Sequence, residues 1–520
     1  MQEPKLTVSA QTPLRTALWL AAGFAVLTFL IHLVSSLWGS HIGYGFFRDE
    51  LYFVLCGRHL AWGYVDQPPL VAVQARIAEM RFGLSPTGVR VLSFAAAGAM
   101  VGMTGLLSWQ FGGRPRAQVL AMTAILAAPA LLATQNYLSM NAWEPCFWMG
   151  SMLVLLRLAD GTASPRAWLI FGALVGLGIE NKHSTVFFLL AVLIGILLSP
   201  QRGMLWSKYC AAGVALMILL VLPNFIWQWV HQFPTYQMLS TGAHLDKIIK
   251  LPPFWFLVAQ LDIMLWSTAP LWIGGLVWLG FSRKTQPWRF VALTYLVFLL
   301  LMMALHAKHY YLAPIYPVLF AAGAVAFGEV TRRTWPTVLY IVDLALTLLF
   351  ITAPVALTIL PPQRYNAYTG IFLDSNANSE KYSGPLPQIL SDRFGWPEMV
   401  QGFADRYYAL PPEVRAHTGI FCDNYGEASA VNILGPKYGL PMAISGHQNY
   451  YFWGWNGFTG ESVLTLGDKR EDFTDKYAEV IDLGPFSAPW IMDLEHRHYF
   501  LLRNRKRPYA ADWPAIKDWY

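Results

Sequence analysis

Long apolar segments recur along the first two thirds of the chain, separated by short polar connections. A helix that crosses a bilayer needs about 20 predominantly apolar residues. The pattern predicts eleven such helices, over residues 16–38, 88–111, 117–136, 142–158, 167–180, 184–200, 209–230, 255–280, 289–305, 312–329 and 335–360. The chain is therefore predicted to be a polytopic α-helical membrane protein.

The connection over residues 39–87 is too long to be a simple turn. It contains FFRDELYFVLCGRHLAWGYVDQPPL followed by VAVQARIAEMRFG, and apolar residues recur at helical spacing after Pro68 and Pro69. We predict that this outer loop forms two helices that lie at the membrane interface.

The pattern changes after residue 360 to short alternating stretches. Strands are predicted at 417–423, 441–445, 462–467, 478–483 and 498–503, with a helix at 425–434. Such an arrangement is typical of a small α/β layer. The sequence thus predicts a transmembrane domain over 1–360 and an exterior α/β domain over 361–520.

Composition agrees with this division. The chain is 55% hydrophobic and 13% charged, which is more apolar than one soluble core needs and excludes disorder. Of its 31 acidic residues, 12 lie in 1–360 and 19 in 361–520. The four cysteines are too few for a disulfide framework, so we expect them to be unpaired.

The basic residues predict the orientation. The connections on one side of the predicted helices carry thirteen Lys and Arg against three acids, Glu3, Asp160 and Glu329. The thirteen are Lys5, Arg15, Arg114, Arg116, Arg157, Arg166, Arg202, Lys208, Arg283, Lys284, Arg289, Arg332 and Arg333. The positive-inside rule makes that side cytoplasmic, and it accounts for the net charge of +6 better than nucleic-acid binding does. An odd number of crossings then places 361–520 outside, which we interpret as the periplasmic side of a bacterial inner membrane.

Ionisable residues at membrane depth are costly, so each is a functional hypothesis. Arg48, Asp49 and Glu50 follow one another at the outer end of the first predicted helix. Adjacent residues on a helix point about 100° apart, so the two acids cannot both face one substrate atom. One could act as a base while the other pairs with Arg48, Arg58 or backbone donors. The alternative is that the cluster only anchors the helix.

Two lysines are predicted to lie in recesses on the outer side. The fifth apolar segment offers 13 apolar residues, which are too short for a bilayer core of about 30 Å, and a polar turn that contains Lys182 follows it. The ninth ends at HAKHYY, which contains Lys308. Buried cations there indicate an anionic ligand such as a lipid phosphate. The alternative is that they pair with Glu180 or Asp262 inside the bundle.

The sequence indicates no metal site. His306 and His309 stand three positions apart, but no carboxylate accompanies them, and neither HExxH nor paired CxxC occurs.

Several segments resemble a known family. RDELYF, GYVDQPPL, GLGIENKH, HAKHYYLAPIYP, NYGEASAV and LPMAISGHQNYYFWGW are similar to the family 39 glycosyltransferases of the GT-C class. That family includes dolichyl-phosphate-mannose protein mannosyltransferases and bacterial lipid A aminoarabinose transferases. The resemblance implies an inverting enzyme without a cofactor. It would move a hexose or pentose from a polyprenyl-phosphate donor to a lipid, glycan or protein acceptor on the outer face of the bilayer, with no nucleic-acid partner.

The resemblance also implies roles for residues. Asp49 is the expected general base, with Glu50 as the second candidate, and Lys182, Lys308, Arg58 and Tyr311 are expected at the donor phosphate. Asp66, Asn141, Glu144 and His309 are expected to support the substrates. Relatives often have an acid near the outer mouth of the fourth helix, where this chain has Asn141, with Glu144 one turn later.

Two other classes of function fit a polytopic chain. A transporter or lipid flippase would also carry buried charges, but it predicts two similar halves, which the sequence does not show. A receptor or scaffold acting through 361–520 would leave Lys182 and Lys308 unexplained.

Overall fold

The computed structural model describes residues 12–244, 249–370 and 384–519, so Glu3 and Lys5 lie outside the described residues. The described chain forms two compact units. The first takes its residues from 1–36, 90–223 and 250–359, and the second from 37–89, 224–249 and 360–520. We call them the helical unit and the mixed unit.

Among the described residues before 360, the regular elements are helices and short helical turns. In chain order these are α1 Leu14–His41, α2 Arg48–Arg58, α3 Leu70–Phe82, α4 Pro86–Gln110, α5 Pro115–Ala127, α6 Pro129–Ala133, α7 Met140–Ala159, α8 Ala167–Asn181 and α9 Ser184–Leu197. They are followed by α10 Lys208–Val230, α11 Pro234–His244, α12 Pro253–Met264, α13 Ala269–Phe281, α14 Arg289–Ala304, α15 Tyr316–Thr331, α16 Thr334–Thr347 and α17 Ala353–Ala356. Short 3-10 turns cover Pro200–Leu205, Trp266–Thr268, Gln286–Trp288 and His309–Ile315, and a π-helical turn covers Leu348–Thr352.

The rest of the chain mixes short helices and strands. In chain order these are α18 Pro362–Thr369, α19 Gln388–Ser391, α20 Trp396–Ala409, α21 Pro412–Arg415, β1 Thr418–Phe421, α22 Tyr425–Leu434, β2 Ala443–Ile444, α23 Tyr450–Trp453, β3 Ser462–Gly467, β4 Tyr477–Phe486, β5 Arg497–Arg505 and α24 Tyr509–Ile516. Short 3-10 turns cover Gly435–Tyr438, Arg470–Phe473 and Asp493–Glu495.

Six helical segments of the described chain are long and apolar enough to cross a membrane. They are Leu14–His41, Pro86–Gln110, Lys208–Val230, Gln286–Ala304, His309–Thr331 and Thr334–Ala356. Of the other predicted crossings, the eighth is a bent pair, and the remaining four coincide with α5 and α6, α7, α8 and α9, which are shorter or less apolar. A polytopic helical architecture is confirmed, and eleven crossings stay a prediction.

The eighth predicted crossing is bent. Helix α12 and the segment Trp266–Phe281 meet at 89°. Leu265, between them, has φ +68°, a conformation that residues other than glycine rarely adopt. The hydroxyl of Thr268 donates to the carbonyl of Met264 at 2.6 Å, which satisfies an acceptor at the broken helix end. The prediction of one continuous helix over 255–280 is therefore wrong.

Small residues and aromatic rings pack the helical unit. A Cβ atom at Gly275 or Gly323 would overlap a backbone carbonyl of the other helix, so α13 and α15 approach closely only because both positions are glycine. Between α7 and α9, the ring of Trp148 stacks on Phe188 with centroids 4.2 Å apart, and its Nε1 donates to Thr185 Oγ1 at 3.1 Å. These contacts hold α7, which carries Glu144, against α9, which begins two residues after Lys182.

The mixed unit contains the predicted sheet. Its strand order is β2-β1-β3-β5-β4, in which β1 is parallel to β2 and β3, whereas β5 is antiparallel to β3 and β4. All five predicted strands and the helix over 425–434 appear at the predicted positions. The four cysteines, all within the described residues, are buried and unpaired, as composition predicts.

Candidate active site

Helix α2 gives its two acidic residues different environments. Glu50 is fully buried, and its Oε2 accepts from the backbone N–H of Phe47 at 2.8 Å. A carboxylate in this position satisfies a free donor at the start of the helix and favours its dipole. Glu50 therefore stabilises the start of α2, as the sequence predicts for one of the two acids, while Asp49 lies only partly buried.

Arg48 is paired with acidic residues far along the chain. Its guanidinium lies 2.7 Å from Glu495 Oε1 and 3.1 Å from Asp392 Oδ1, and 5.8 Å from the centre of the Trp396 ring. Burial raises the pKa of Asp392 to about 7, although the Arg48 charge opposes that rise. Arg48 is thus bound to these two acids.

Asp49 accepts a hydrogen bond from Tyr425. The phenol donates to Asp49 Oδ1 at 2.7 Å, across 376 positions of the chain. Tyr425 begins α22, whose start is capped by Asn424. A Cβ at Gly426 would lie only 2.6 Å from the Cγ of Arg48, so glycine is required for α22 to approach α2 this closely.

Asp66 has a matching arrangement with Tyr52. The Tyr52 phenol donates to Asp66 Oδ1 at 3.1 Å and accepts from the N–H of Asn449 at 3.2 Å. The rings of Tyr52 and Tyr425 lie 4.9 Å apart. Burial, with a smaller contribution from the charge of Asp49, raises the pKa of Asp66 to about 7. We call Asp49, Tyr52, Asp66, Tyr425 and Asn449 the tyrosine–carboxylate cluster.

Arg58, predicted at the donor phosphate, is paired with a carboxylate. Its Nε and NH2 atoms donate to Glu79 Oε1 at 3.0 and 2.6 Å. The side chain is 31% exposed. This ion pair joins the end of α2 to α3, and a phosphate at Arg58 would compete with Glu79.

In the helical unit, several of the residues predicted for the site lie around Lys182. Its Nζ lies 2.8 Å from both Asn141 Oδ1 and Glu144 Oε2, and 4.7 Å from the centre of the Tyr311 ring. The hydroxyl of Ser184 donates to the other oxygen of Glu144. Lys182 is 9% exposed and Glu144 is 2% exposed. We call these five residues the Lys182 cluster.

Local structure positions this cluster. Ser139 caps α7 by accepting from the N–H of Asn141 at 3.2 Å, and Asn181 Nδ2 donates to the carbonyl of Met140 at 2.8 Å. The end of α8 is thereby tied to the start of α7, which brings Lys182 to Glu144.

The alternative partners predicted for Lys182 are wrong. Lys182 pairs with Glu144 rather than with Glu180 or Asp262. Asp262 accepts from Trp266 Nε1 at 2.8 Å. The sequence named Glu144 as a possible substitute for the acid of relatives, and the structure places it against the lysine.

Backbone contacts tie down the segment that carries Lys308 and His309. The Lys308 carbonyl accepts from the Tyr311 N–H at 3.0 Å, and the His309 carbonyl accepts from Gln260 Nε2 at 3.1 Å. Lys308 is only half-buried, so the prediction of two buried lysines holds for Lys182 alone.

The two clusters suit different chemistry. Burial holds the pKa values of Tyr52 and Tyr425 well above the usual range, so both phenols stay protonated and donate to carboxylates that can accept a proton. A lysine beside aromatic rings suits an anion. Over residues 12–244, 249–370 and 384–519, no group of three or more His, Cys, Asp or Glu side chains could hold a metal ion.

Sequence reasoning missed Tyr52, Tyr425 and Asn449. All three stand inside segments that carry the family resemblance, RDELYF, NYGEASAV and GHQNYY. Polar side chains in such segments are the signal that could have found them, but only the fold shows which group each one contacts.

Comparisons with known proteins identify the fold. The model of the dolichyl-phosphate-mannose-protein mannosyltransferase family matches residues 66–227. A sequence comparison with curated proteins found no match. Crystal structures of ArnT from Cupriavidus metallidurans superpose with TM-scores of 0.60 in complex with undecaprenyl phosphate and 0.59 in the apo state. Sequence identity is 13% and 14%, and 92% of this chain and 97% of that chain are covered.

An oligosaccharyltransferase from Archaeoglobus fulgidus, tethered to an acceptor peptide, superposes with a TM-score of 0.45 at 12% identity, covering 80% of this chain and 64% of that chain. The ArnT superposition and the family match agree with the relatives that the sequence motifs indicate. The resemblance is therefore confirmed: the chain has the GT-C glycosyltransferase fold of ArnT, and its residues 66–227 match the dolichyl-phosphate-mannose-protein mannosyltransferase family.

Proposed function

We propose that the protein is an inverting glycosyltransferase. It moves a hexose or pentose from a polyprenyl-phosphate donor to a lipid, glycan or protein acceptor at the outer face of a bacterial inner membrane. The observation that carries the proposal is Asp49, a carboxylate that accepts a hydrogen bond from the Tyr425 phenol in a chain with the fold of ArnT. ArnT from Cupriavidus metallidurans binds undecaprenyl phosphate, and we adopt this lipid as the donor carrier.

The reaction follows from these groups. Asp49 takes the proton of the acceptor hydroxyl, whose oxygen attacks the anomeric carbon while the bond from that carbon to the phosphate oxygen breaks. Polyprenyl phosphate leaves with the bonding electrons. A positioned base is worth about 10² to 10⁴ in rate. Asp66, with its pKa raised to about 7, is partly protonated at neutral pH, so its charge opposes the ionisation of Asp49 less.

The leaving phosphate is stabilised by Lys182 with Tyr311 and by Lys308. Asn141 and Glu144 position the Lys182 ammonium, which lies 2.8 Å from each. Cations fixed in a site that excludes water stabilise developing negative charge strongly. His309, Asp66 and Arg58 support the substrates, and Glu50 supports α2. The proposal includes no cofactor.

The test is turnover by the full-length protein in proteoliposomes. We expect one of a panel of undecaprenyl-phosphate-linked hexoses and pentoses to release undecaprenyl phosphate when a bacterial envelope extract supplies acceptors, with the same rate in EDTA. Mass spectrometry detects both the released lipid and the glycosylated product. Transbilayer movement of the donor without sugar transfer would instead support the transporter alternative, and would overturn the proposal.

The proposed orientation has its own test. In a variant without the four native cysteines, Thr459→Cys should react with a membrane-impermeant maleimide added outside cells, because residues 361–520 are proposed to be periplasmic. Arg114→Cys and Arg333→Cys should react only after permeabilisation. All three positions are exposed, so accessibility within the fold does not bias the comparison. Labelling of Arg333→Cys with protection of Thr459→Cys would reverse the topology.

A further inference from the structure

The charged start of α2 is surrounded by residues from the C-terminal part of the chain. Arg48 pairs with Asp392 and Glu495 at 3.1 and 2.7 Å. The N–H of Gly45 donates to the carbonyl of Arg393 at 3.0 Å. A Cβ at Gly45 would lie 2.9 Å from that same oxygen. The segment before α2 therefore packs backbone against backbone on the later segment.

Tyr425 is held in one orientation by several contacts. The Asn424 side chain accepts from the N–H of Glu427 at 3.0 Å and fixes the first turn of α22. The Tyr425 ring lies between Tyr52 and His447, with centroids 4.9 and 5.1 Å away. The direction of its hydroxyl toward Asp49 is thus set by packing that does not involve Asp49.

Several charged groups surround Asp49. Arg48 in α2 attracts its negative charge, while Asp66 before α3 and Asp392 after α19 oppose it. The Tyr425 phenol of α22 donates to it directly. Arg48 also pairs with Asp392 and Glu495, so these two acids compete with Asp49 for its positive charge. The Tyr425 phenol has one O–H, and it donates this to Asp49.

We propose that Tyr425 is a positioning residue: its phenol aims one oxygen of Asp49 and favours the ionised carboxylate, so that the C-terminal segment supplies part of the reaction machinery. This inference rests on the proposed role of Asp49 as general base. A hydrogen bond donated to a carboxylate favours its charged form. Because burial keeps the pKa of Tyr425 well above its usual value, the phenol remains a donor over the working pH range.

The experiment measures the ionisation of Asp49 without any substrate. A hydrophobic carbodiimide reacts with protonated carboxyl groups, and mass spectrometry of the full-length protein follows labelling of Asp49 against pH. In Tyr425→Phe the midpoint should rise by roughly one pH unit, since the ring contacts remain and only the donor is lost. The acid limb of the turnover profile should move with it, and turnover at neutral pH should fall about tenfold. Undecaprenyl phosphate should bind as it does to the parent.

Tyr499→Phe is the matched control. Tyr499 is buried in β5, and its hydroxyl donates to the carbonyl of Met399 at 2.8 Å, away from the carboxylates of the cluster. Like Tyr425→Phe, Tyr499→Phe removes one tyrosine hydroxyl from the mixed unit. It should leave the pH midpoint of Asp49 labelling unchanged. Equal midpoints in Tyr425→Phe and the parent would overturn the inference.

Two further results separate this inference from the proposed function. An unshifted midpoint together with an inactive Asp49→Asn variant would refute the role of Tyr425 alone. Full turnover in Asp49→Asn would refute the proposed base, and the role of Tyr425 with it. If Tyr425→Phe melts early, a double-mutant cycle with Asp49→Ala decides, because alanine cannot accept the phenol's hydrogen bond and residues that interact lose stability non-additively. Additive losses of stability would show that the two side chains do not interact and would overturn the inference.

Discussion

Asp49→Asn is expected to lower sugar transfer at least about a hundredfold while undecaprenyl phosphate still binds. Asparagine has the size of aspartate, and its amide oxygen can accept the hydrogen bond that the Tyr425 phenol gives to Asp49 at 2.7 Å. The variant therefore removes the base and leaves the packing. Turnover in proteoliposomes and direct binding of undecaprenyl phosphate measure the two effects separately.

Asp405→Asn is the control for this substitution. Asp405 lies in α20 and accepts from Gln401 at 2.7 Å on an exposed surface, so its loss should change neither turnover nor binding. If Asp49→Asn turns over within a few-fold of the parent, the base lies elsewhere. Glu50 and Glu144 are then the next candidates, although both are committed to other contacts in this fold.

Local pattern predicts elements well in this chain. The short strand-like stretches at 462–467 and 498–503 predict β3 and β5, and the predicted helix over 425–434 appears as α22. The spacing of apolar side chains and the length of a segment can be read from a few neighbouring residues, and they are enough to predict such elements. The bend at Leu265 was missed although the sequence carries a signal for it: Thr268 and Pro270 interrupt the apolar run and are typical of the start of a new helix.

The sequence could say that Asp49 and Glu50 differ, but not which one is free for chemistry. Their separation of about 100° on a helix follows from local geometry. The choice depends on where α2 begins, because the residue three positions after the N-cap Phe47 is the one whose side chain reaches back to the N–H of Phe47. Helix boundaries are the least certain part of any pattern-based prediction.

Contacts between segments that are distant in the chain could not be predicted from the sequence. Tyr425 and Asp49 are 376 positions apart, and Lys182 and Glu144 are 38 apart. The local pattern places each residue on a helix or, for Lys182, in the turn after one, but tertiary packing decides which helices adjoin. The short fifth segment did predict a recessed lysine, and its 9% exposure agrees. The partner that neutralises it was identified only by the fold.

Lys182→Met is expected to lower both the melting temperature and the binding of undecaprenyl phosphate. Methionine keeps the aliphatic bulk but leaves Glu144, which is 2% exposed, without its cation at 2.8 Å. Breaking a buried ion pair from one side costs roughly 3 to 5 kcal/mol of folding free energy. A stability loss alone would therefore not show that Lys182 binds the phosphate.

Adding Glu144→Gln separates the two roles of Lys182. The double variant removes both charges, and the glutamine can still accept from Ser184, so the melting temperature should return toward that of the parent. Binding should stay lost, because a neutral pair cannot attract a phosphate.

Lys308→Met should weaken binding with little change in melting temperature, since Lys308 is half-buried. Lys284→Met is the control, because Lys284 is 62% exposed in a surface pair with Glu329, and such pairs contribute little. Parental binding by the double variant would show that Lys182 serves only Glu144, and the phosphate role would then pass to Lys308.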